Sequence, residues 1–156
     1  MKEVILILHN IRSLHNVGSI FRTADGAGVR KIYLVGITPE PTDRLGRVRE
    51  PLRKVSLGAE ESVLWEKATS FTQLSKKIRE EGYIICALEQ AKNSIRYTRL
   101  PKSKKKIALV VGNEVDGVPS VITKKCDYIL EIPMRGKKES LNVSVATGIA
   151  LFGINP

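Results

Sequence analysis

Three stretches of this 156-residue chain carry residues whose types and spacing could do chemistry. The first, "HNVGSIFRTADGAG", places Arg22 one helical turn after Gly18 and three residues before Asp25. Those spacings put the three on one side of a helix, away from a stripe of Val17, Ile20, Phe21 and Ala24. A glycine above an arginine clears room for a ligand, and a phosphate near the helix N-terminus gains from free N–H groups and the dipole. The plainer reading is a surface arginine paired with Asp25. "GAG" lacks the third glycine of a dinucleotide fingerprint.

The second stretch, "VVGNEVDGVP", runs an apolar strand into Gly112, Asn113, Glu114, Asp116 and Gly117. A glycine at the carboxyl end of a parallel strand lets a ligand approach the backbone, and such ends are where α/β ligands bind. Two acids and an amide there could hold polar ligand groups or orient a hydroxyl; a polar turn leading into a helix at Pro119 is the blander account. The third, "EIPMRGKKESLNVSVATGIA", repeats the pattern with Pro133 and Gly136 in a loop and Ser140 as N-cap of the last helix. Asn142 then falls in the first turn of an otherwise apolar helix, where its amide needs a partner or suffers desolvation.

These stretches hang on five apolar runs: Val4 to Leu8, Ile32 to Val35, Tyr83 to Leu88, Ile107 to Val111 and Tyr128 to Ile132. Near-continuous rather than alternating apolarity predicts a parallel sheet covered on both faces. Asn16 is the expected N-cap of the first helix, which ends at "DGAG". Thr69 or Ser70 caps a second helix with Phe71, Leu74 and Ile78 inward, and Gly82 stops it. A short helix starts near Pro119. Residues 37–54, with Pro39, Pro41 and Pro51, read as one long loop. No repeat or linker breaks the chain, which reads as a single domain over residues 1–156 without an appended RNA-binding domain.

Composition narrows the partners. The net charge is +10, from 26 Lys+Arg against 16 Asp+Glu, which predicts a field attractive to polyanions. The basic residues cluster: Arg44, Arg47, Arg49, Arg53 and Lys54; Lys102 and Lys104 to Lys106; Arg135, Lys137 and Lys138. For "KSKKK" alone, a solvated loop is as good a reading as a polyanion contact. Aromatics are only 5%, so phosphate contacts rather than base stacking carry the binding. Cys86 and Cys126 stand apart in apolar segments, and His9 and His15 complete no metal-ligand pattern. No run is long enough to span a membrane, and "MKEVILILHN" is no signal peptide, which points to a cytoplasmic setting without metal or membrane.

In this order and at these distances, the three stretches resemble the SpoU/TrmH family of RNA ribose 2′-O-methyltransferases, within the knotted SPOUT superfamily. An Asn-x-Gly-x-x-x-Arg motif is matched by Asn16, Gly18 and Arg22. A strand ending in Gly-Asn-Glu, with a glycine three residues on, is matched by Gly112, Asn113, Glu114 and Gly117. An Ile-Pro-Met…Ser-Leu-Asn-Val-Ser motif is matched by Ile132, Pro133, Met134 and Ser140 to Ser144. "VSLGAE" at 55–60 also looks like a family element. Val115 departs from the family, which usually has glycine there, and a β-branched residue rejects positive φ.

The resemblance implies an α/β fold: a parallel sheet flanked by helices, with a C-terminal deep trefoil knot of a kind nearly absent from other proteins. It implies a homodimer that binds S-adenosyl-L-methionine through Leu88, Glu89, Gln90, Gly112, Asn113, Ile132, Met134, Ser140 and Leu141. RNA would lie along Arg44, Arg47, Arg49, Arg53, Lys54, Arg135, Lys137 and Lys138. The implied reaction is attack of a ribose 2′-hydroxyl on the sulfonium methyl. A compact chain without an appended RNA-binding domain fits a small folded target, which favours tRNA over rRNA as substrate. Arg22, Asn16, Glu114, Ser140 and Asn142 form the implied catalytic group. An arginine pKa of about 12.5 or more makes Arg22 a better phosphate and oxyanion organiser than a base. A non-catalytic RNA-binding or assembly protein on the same scaffold is the alternative; a base methyltransferase of a related knotted family fits the Arg22 and Ser-Leu-Asn pairing less well.

Overall fold

The apolar runs become strands, and every pairing between them is parallel. The computed structural model describes residues 1–155 and contains β1 (Glu3–His9), β2 (Lys31–Val35), β3 (Leu64–Ala68), β4 (Ile84–Leu88), β5 (Ile95–Arg96), β6 (Lys106–Val111) and β7 (Tyr128–Glu131). They form one sheet in the order β3-β2-β1-β6-β4-β7-β5. The helices are α1 (Leu14–Gly26), α2 (Glu50–Ser56), α3 (Ala59–Ser62), α4 (Phe71–Glu80), α5 (Ser120–Thr123) and α6 (Val143–Ile154).

The continuous apolarity of the central strands follows from two cores, one on each face. Leu6, Leu8, Ile32, Leu34, Ile107 and Leu109 pack with residues of α1, α2, α3 and α6. The alternate residues Ile5, Ile7, Tyr33, Val35, Ala108 and Val110 pack with α4 and α5. Because all strands run the same way, their carboxyl ends share one edge of the sheet. β6, β4 and β7 are neighbours there, so the segments that follow them converge.

Several sequence expectations need correction. The N-cap of α1 is Ser13, whose hydroxyl accepts from the Asn16 N–H at 3.1 Å, which releases Asn16 for other work. Gly18 opens no space for a ligand. It is buried against α2, where a Cβ would lie 2.5 Å from Val55 Cγ2 and 2.9 Å from the Leu52 carbonyl oxygen. The loop from residue 37 ends earlier than expected, because Pro51 sits in the first turn of α2, where its missing N–H is harmless. "VSLGAE" is the corner between α2 and α3, turned by Leu57 and Gly58, both at positive φ. β3, "LWEKA", escaped notice because it is an edge strand, paired only to β2, and carries Glu66 and Lys67. β5 has two residues and no readable pattern. At the last helix the cap is Asn142, not Ser140: its Oδ1 accepts from the Ser144 N–H at 2.9 Å and the Val145 N–H at 3.4 Å. No helix among the described residues is long and apolar enough to cross a membrane.

Candidate active site

At the carboxyl edge, the segments after β4, β6 and β7 enclose a cleft of about 740 Å³. All nine residues expected at a cofactor site line it: Leu88, Glu89 and Gln90 from the first segment, Gly112 and Asn113 from the second, and Ile132, Met134, Ser140 and Leu141 from the third. Apolar side chains of Leu88, Leu130, Ile132, Leu141 and Val143 share the lining with polar ones such as Glu89, Gln90, Asn113 and Ser140, a mixture suited to an amphipathic ligand.

The turn after β6 is tightly held. Asn113 and Gly117 exchange backbone hydrogen bonds, Asn113 N–H to Gly117 O at 3.2 Å and Gly117 N–H to Asn113 O at 2.9 Å. The Asn113 side-chain oxygen accepts from the Val115 and Asp116 N–H groups at 2.9 and 3.0 Å, and its amide donates to the Asn10 carbonyl at 2.8 Å. A side chain at Gly112 would collide with the Gly117 carbonyl, and one at Gly117 (φ +66°) with the Glu89 carboxylate. Glu89 in turn accepts from the Val118 N–H at 2.8 Å. Val115 sits at the tip, 82% exposed. It is not among the positive-φ residues, so the departure from the family's glycine strains nothing.

Three of the expected catalytic residues form one network. Glu114 Oε1 accepts from the Ser13 N–H at 3.0 Å and from Asn16 Nδ2 at 3.1 Å, and Oε2 accepts from the Arg12 N–H at 3.0 Å. Asn142 Nδ2 donates to Asn16 Oδ1 at 3.2 Å. The network therefore ties the start of α1, the turn after β6 and the start of α6 together. Partial burial alone would push the Glu114 carboxyl up, but the Arg12 and Ser13 N–H groups and the Asn16 amide outweigh it and hold the pKa below the usual carboxylate value. Asn16, 7% exposed, does not line the cleft but braces two residues that do. The Arg12 and Ser13 donors went unforeseen, although "SLHN" already placed a cap-forming serine three residues before Asn16.

Arg22 stands apart. It is exposed on α1, outside the cleft lining. Asp25, the partner a plain surface arginine would take, instead accepts from the Ser62 hydroxyl at 2.7 Å. Among the described residues Arg22 forms no ion pair. Ser140 lines the cleft with its segment steadied by Gln90, whose Nε2 donates to the Glu139 carbonyl at 2.7 Å.

The expected RNA-contacting residues are all exposed. Within the 44–54 group, Arg47 pairs with Asp43 at 3.0 Å and Arg53 with Glu61 at 3.8 Å, while Arg49 donates to the Thr42 carbonyl at 3.2 Å. Arg44, Lys54, Arg135, Lys137 and Lys138 form no ion pair among the described residues.

This fold is shared with known RNA-modifying enzymes. The model of the SpoU rRNA methylase family matches residues 3–152. The chain is 35% identical over 152 residues to the 23S rRNA (guanosine-2′-O-)-methyltransferase RlmB of Salmonella typhi, covering 97% of this chain and 59% of that protein. The crystal structure of the A. aeolicus TrmH/SpoU tRNA modifying enzyme superposes with a TM-score of 0.82 at 32% identity, over 99% of this chain and 74% of that one. An AdoMet-bound rRNA methyltransferase from Sinorhizobium meliloti gives a TM-score of 0.87 at 30% identity, over 97% and 55%. The chain thus belongs to the SpoU rRNA methylase family. It spans somewhat under three fifths of the length of the RlmB proteins it matches.

Proposed function

We propose that this chain catalyses transfer of a methyl group from S-adenosyl-L-methionine to a ribose 2′-hydroxyl in RNA. The observation that carries the proposal is the convergence of the segments after β4, β6 and β7, the last two carrying the second and third motifs, on one amphipathic cleft, which falls in the roughly 300–1,000 Å³ range of small-molecule sites. Bound there, the cofactor supplies an electrophilic methyl that needs little activation beyond positioning. Gly112, Asn113 and the 132–141 segment hold it with backbone groups and apolar walls. The Asn16–Glu114–Asn142 network keeps the cleft rim and the start of α1 in register, so these three position rather than react. The Ser140 hydroxyl orients the ribose or the cofactor's methionine end. Arg22 organises the phosphate and the developing 2′-oxyanion.

Ribosomal RNA is the favoured substrate. RlmB and the Sinorhizobium meliloti enzyme are both described as acting on rRNA. Compactness, which favours tRNA on sequence alone, carries no weight when the chain spans 59% of its RlmB relative. We further propose a cytoplasmic homodimer, supported by Val145 and Phe152, 50% and 55% exposed on the last helix, and a knotted C-terminal third like that of the superfamily. Calorimetric titration with S-adenosyl-L-methionine tests the reading. Saturable one-site binding supports it, whereas no binding by the folded protein returns the chain to the RNA-binding or assembly alternative.

A further inference from the structure

The amino edge of the sheet, opposite the cleft, carries a second charged surface. Buried Leu100 anchors the segment that leads into β6. A turn closed by the Lys104 N–H donating to the Pro101 carbonyl at 3.1 Å carries Lys102 and Lys105, both exposed, and Lys104, half-buried between them. The Lys105 carbonyl accepts from the Glu3 N–H at 2.7 Å, which fixes this turn beside Lys2 at the start of β1. The Lys2 amine is held below its usual pKa by burial, then by repulsion from Lys105 and Lys102, so these ammonium groups share one patch.

The nearest acid does not relieve that repulsion. The Glu3 carboxylate is taken by Arg30 at 2.8 Å, by the Tyr83 hydroxyl and by Lys106 at 3.8 Å. Lys2, Lys102, Lys104 and Lys105 form no ion pair among the described residues, whereas Arg47 and Arg53 beside the carboxyl edge meet Asp43 and Glu61. Of the lysine run only Lys106 meets an acid among the described residues, Glu3; Lys102, Lys104 and Lys105 stand without one, as do Arg135, Lys137 and Lys138 beside the cleft. Like charges held together without counter-charge are relieved by phosphates.

Position decides what those phosphates belong to. β6 lies between the lysine turn and Gly112, and its six residues span about 20 Å. A phosphate on the lysines is thus remote from a nucleotide held in the cleft. We infer that Lys102, Lys104 and Lys105 form a second RNA-phosphate contact, and that the substrate is a folded RNA presenting another phosphate run about 20 Å or more from the target ribose. The substrate part rests on the methyltransferase reading above; the contact itself does not.

The test compares wild type with a Lys102→Gln, Lys104→Gln, Lys105→Gln triple variant on deproteinised ribosomal RNA and on a short single-stranded oligonucleotide. For the ribosomal RNA, the slope of log K against log salt should fall by about 2 to 3, the share of three phosphate contacts. Oligonucleotide binding and S-adenosyl-L-methionine titration should be unchanged, and the matching triple arginine variant should keep the wild-type slope. An unchanged slope with ribosomal RNA overturns the inference, as does an equal loss on both RNAs. Loss of binding to phosphatidylserine vesicles with RNA binding intact would assign the patch to a membrane instead. If the slope falls but no RNA is methylated, the contact stands and the enzyme reading fails.

Discussion

Replacing Glu114 by glutamine perturbs the site at its brace. With the new carbonyl oxygen in the Oε1 position, bonds from Ser13 and Asn16 survive and the Arg12 N–H keeps its 3.2 Å contact to that oxygen, but its 3.0 Å partner becomes an NH₂. One bond is lost, and the survivors change from charge-assisted, about 1.5–3 kcal/mol each, to neutral, about 1 kcal/mol each. Glu114 is largely exposed, so solvent screening reduces the total to about 1 kcal/mol. For a chain of this size that lowers Tm by about 2–4 °C. The pH dependence has a definite sign. The carboxyl pKa is depressed in the folded state from 4.5, so its stabilisation is fully present above that value and is lost as pH falls through the folded pKa. Thermal melts followed by circular dichroism should show the gap between wild type and Glu114→Gln at neutral pH closing below 4.5. A gap that persists unchanged in acid, or no gap at neutral pH, refutes the reasoning.

Other substitutions test other joints. Gly18→Ala should destabilise by about 1–3 kcal/mol in urea unfolding, because its Cβ meets the Leu52 carbonyl and α2 must shift. A neutral result would mean that α2 is not seated as described. Asn142→Ala removes the α6 cap and the link to Asn16 and should cost about 0.5–2 kcal/mol, with weakened S-adenosyl-L-methionine binding in calorimetry. His9 packs edge-on against Phe71 with Nδ1 buried and unpartnered, and burial lowers its pKa from 6.5. Charging it therefore costs stability as pH falls below 6.5, and a His9→Phe variant should lose that slope in unfolding measured at about pH 5 and about pH 7.5.

Much of the site was legible because the chemistry sits where strands end. Gly112, Ile132 and Leu88 each close an apolar run, so the sequence itself marked the ends at which a ligand could approach. That these ends are neighbours depends on the order β6-β4-β7, which no local pattern encodes. Periodicity found the inward faces of α1 and α4: Val17, Ile20, Phe21 and Ala24, and Phe71, Leu74 and Ile78, are all buried. It failed where tertiary packing reassigns a residue. Gly18 looks like an opening but receives α2, and Pro51 looks like a breaker but begins a helix. Asn142 looked like a buried amide awaiting a ligand, yet its oxygen caps α6 and its nitrogen reaches Asn16 across 126 residues. Such long-range pairings are invisible to spacing.

The central claim is methyl transfer to a ribose oxygen organised by Arg22. It is tested most directly by incubating wild type and Arg22→Ala with S-adenosyl-L-methionine and deproteinised ribosomal RNA, then digesting to nucleosides for mass spectrometry. The account predicts a 2′-O-methylnucleoside with wild type and none with Arg22→Ala, although the variant still binds the cofactor. A methyl group on a base, or wild-type yield from Arg22→Ala, would contradict it.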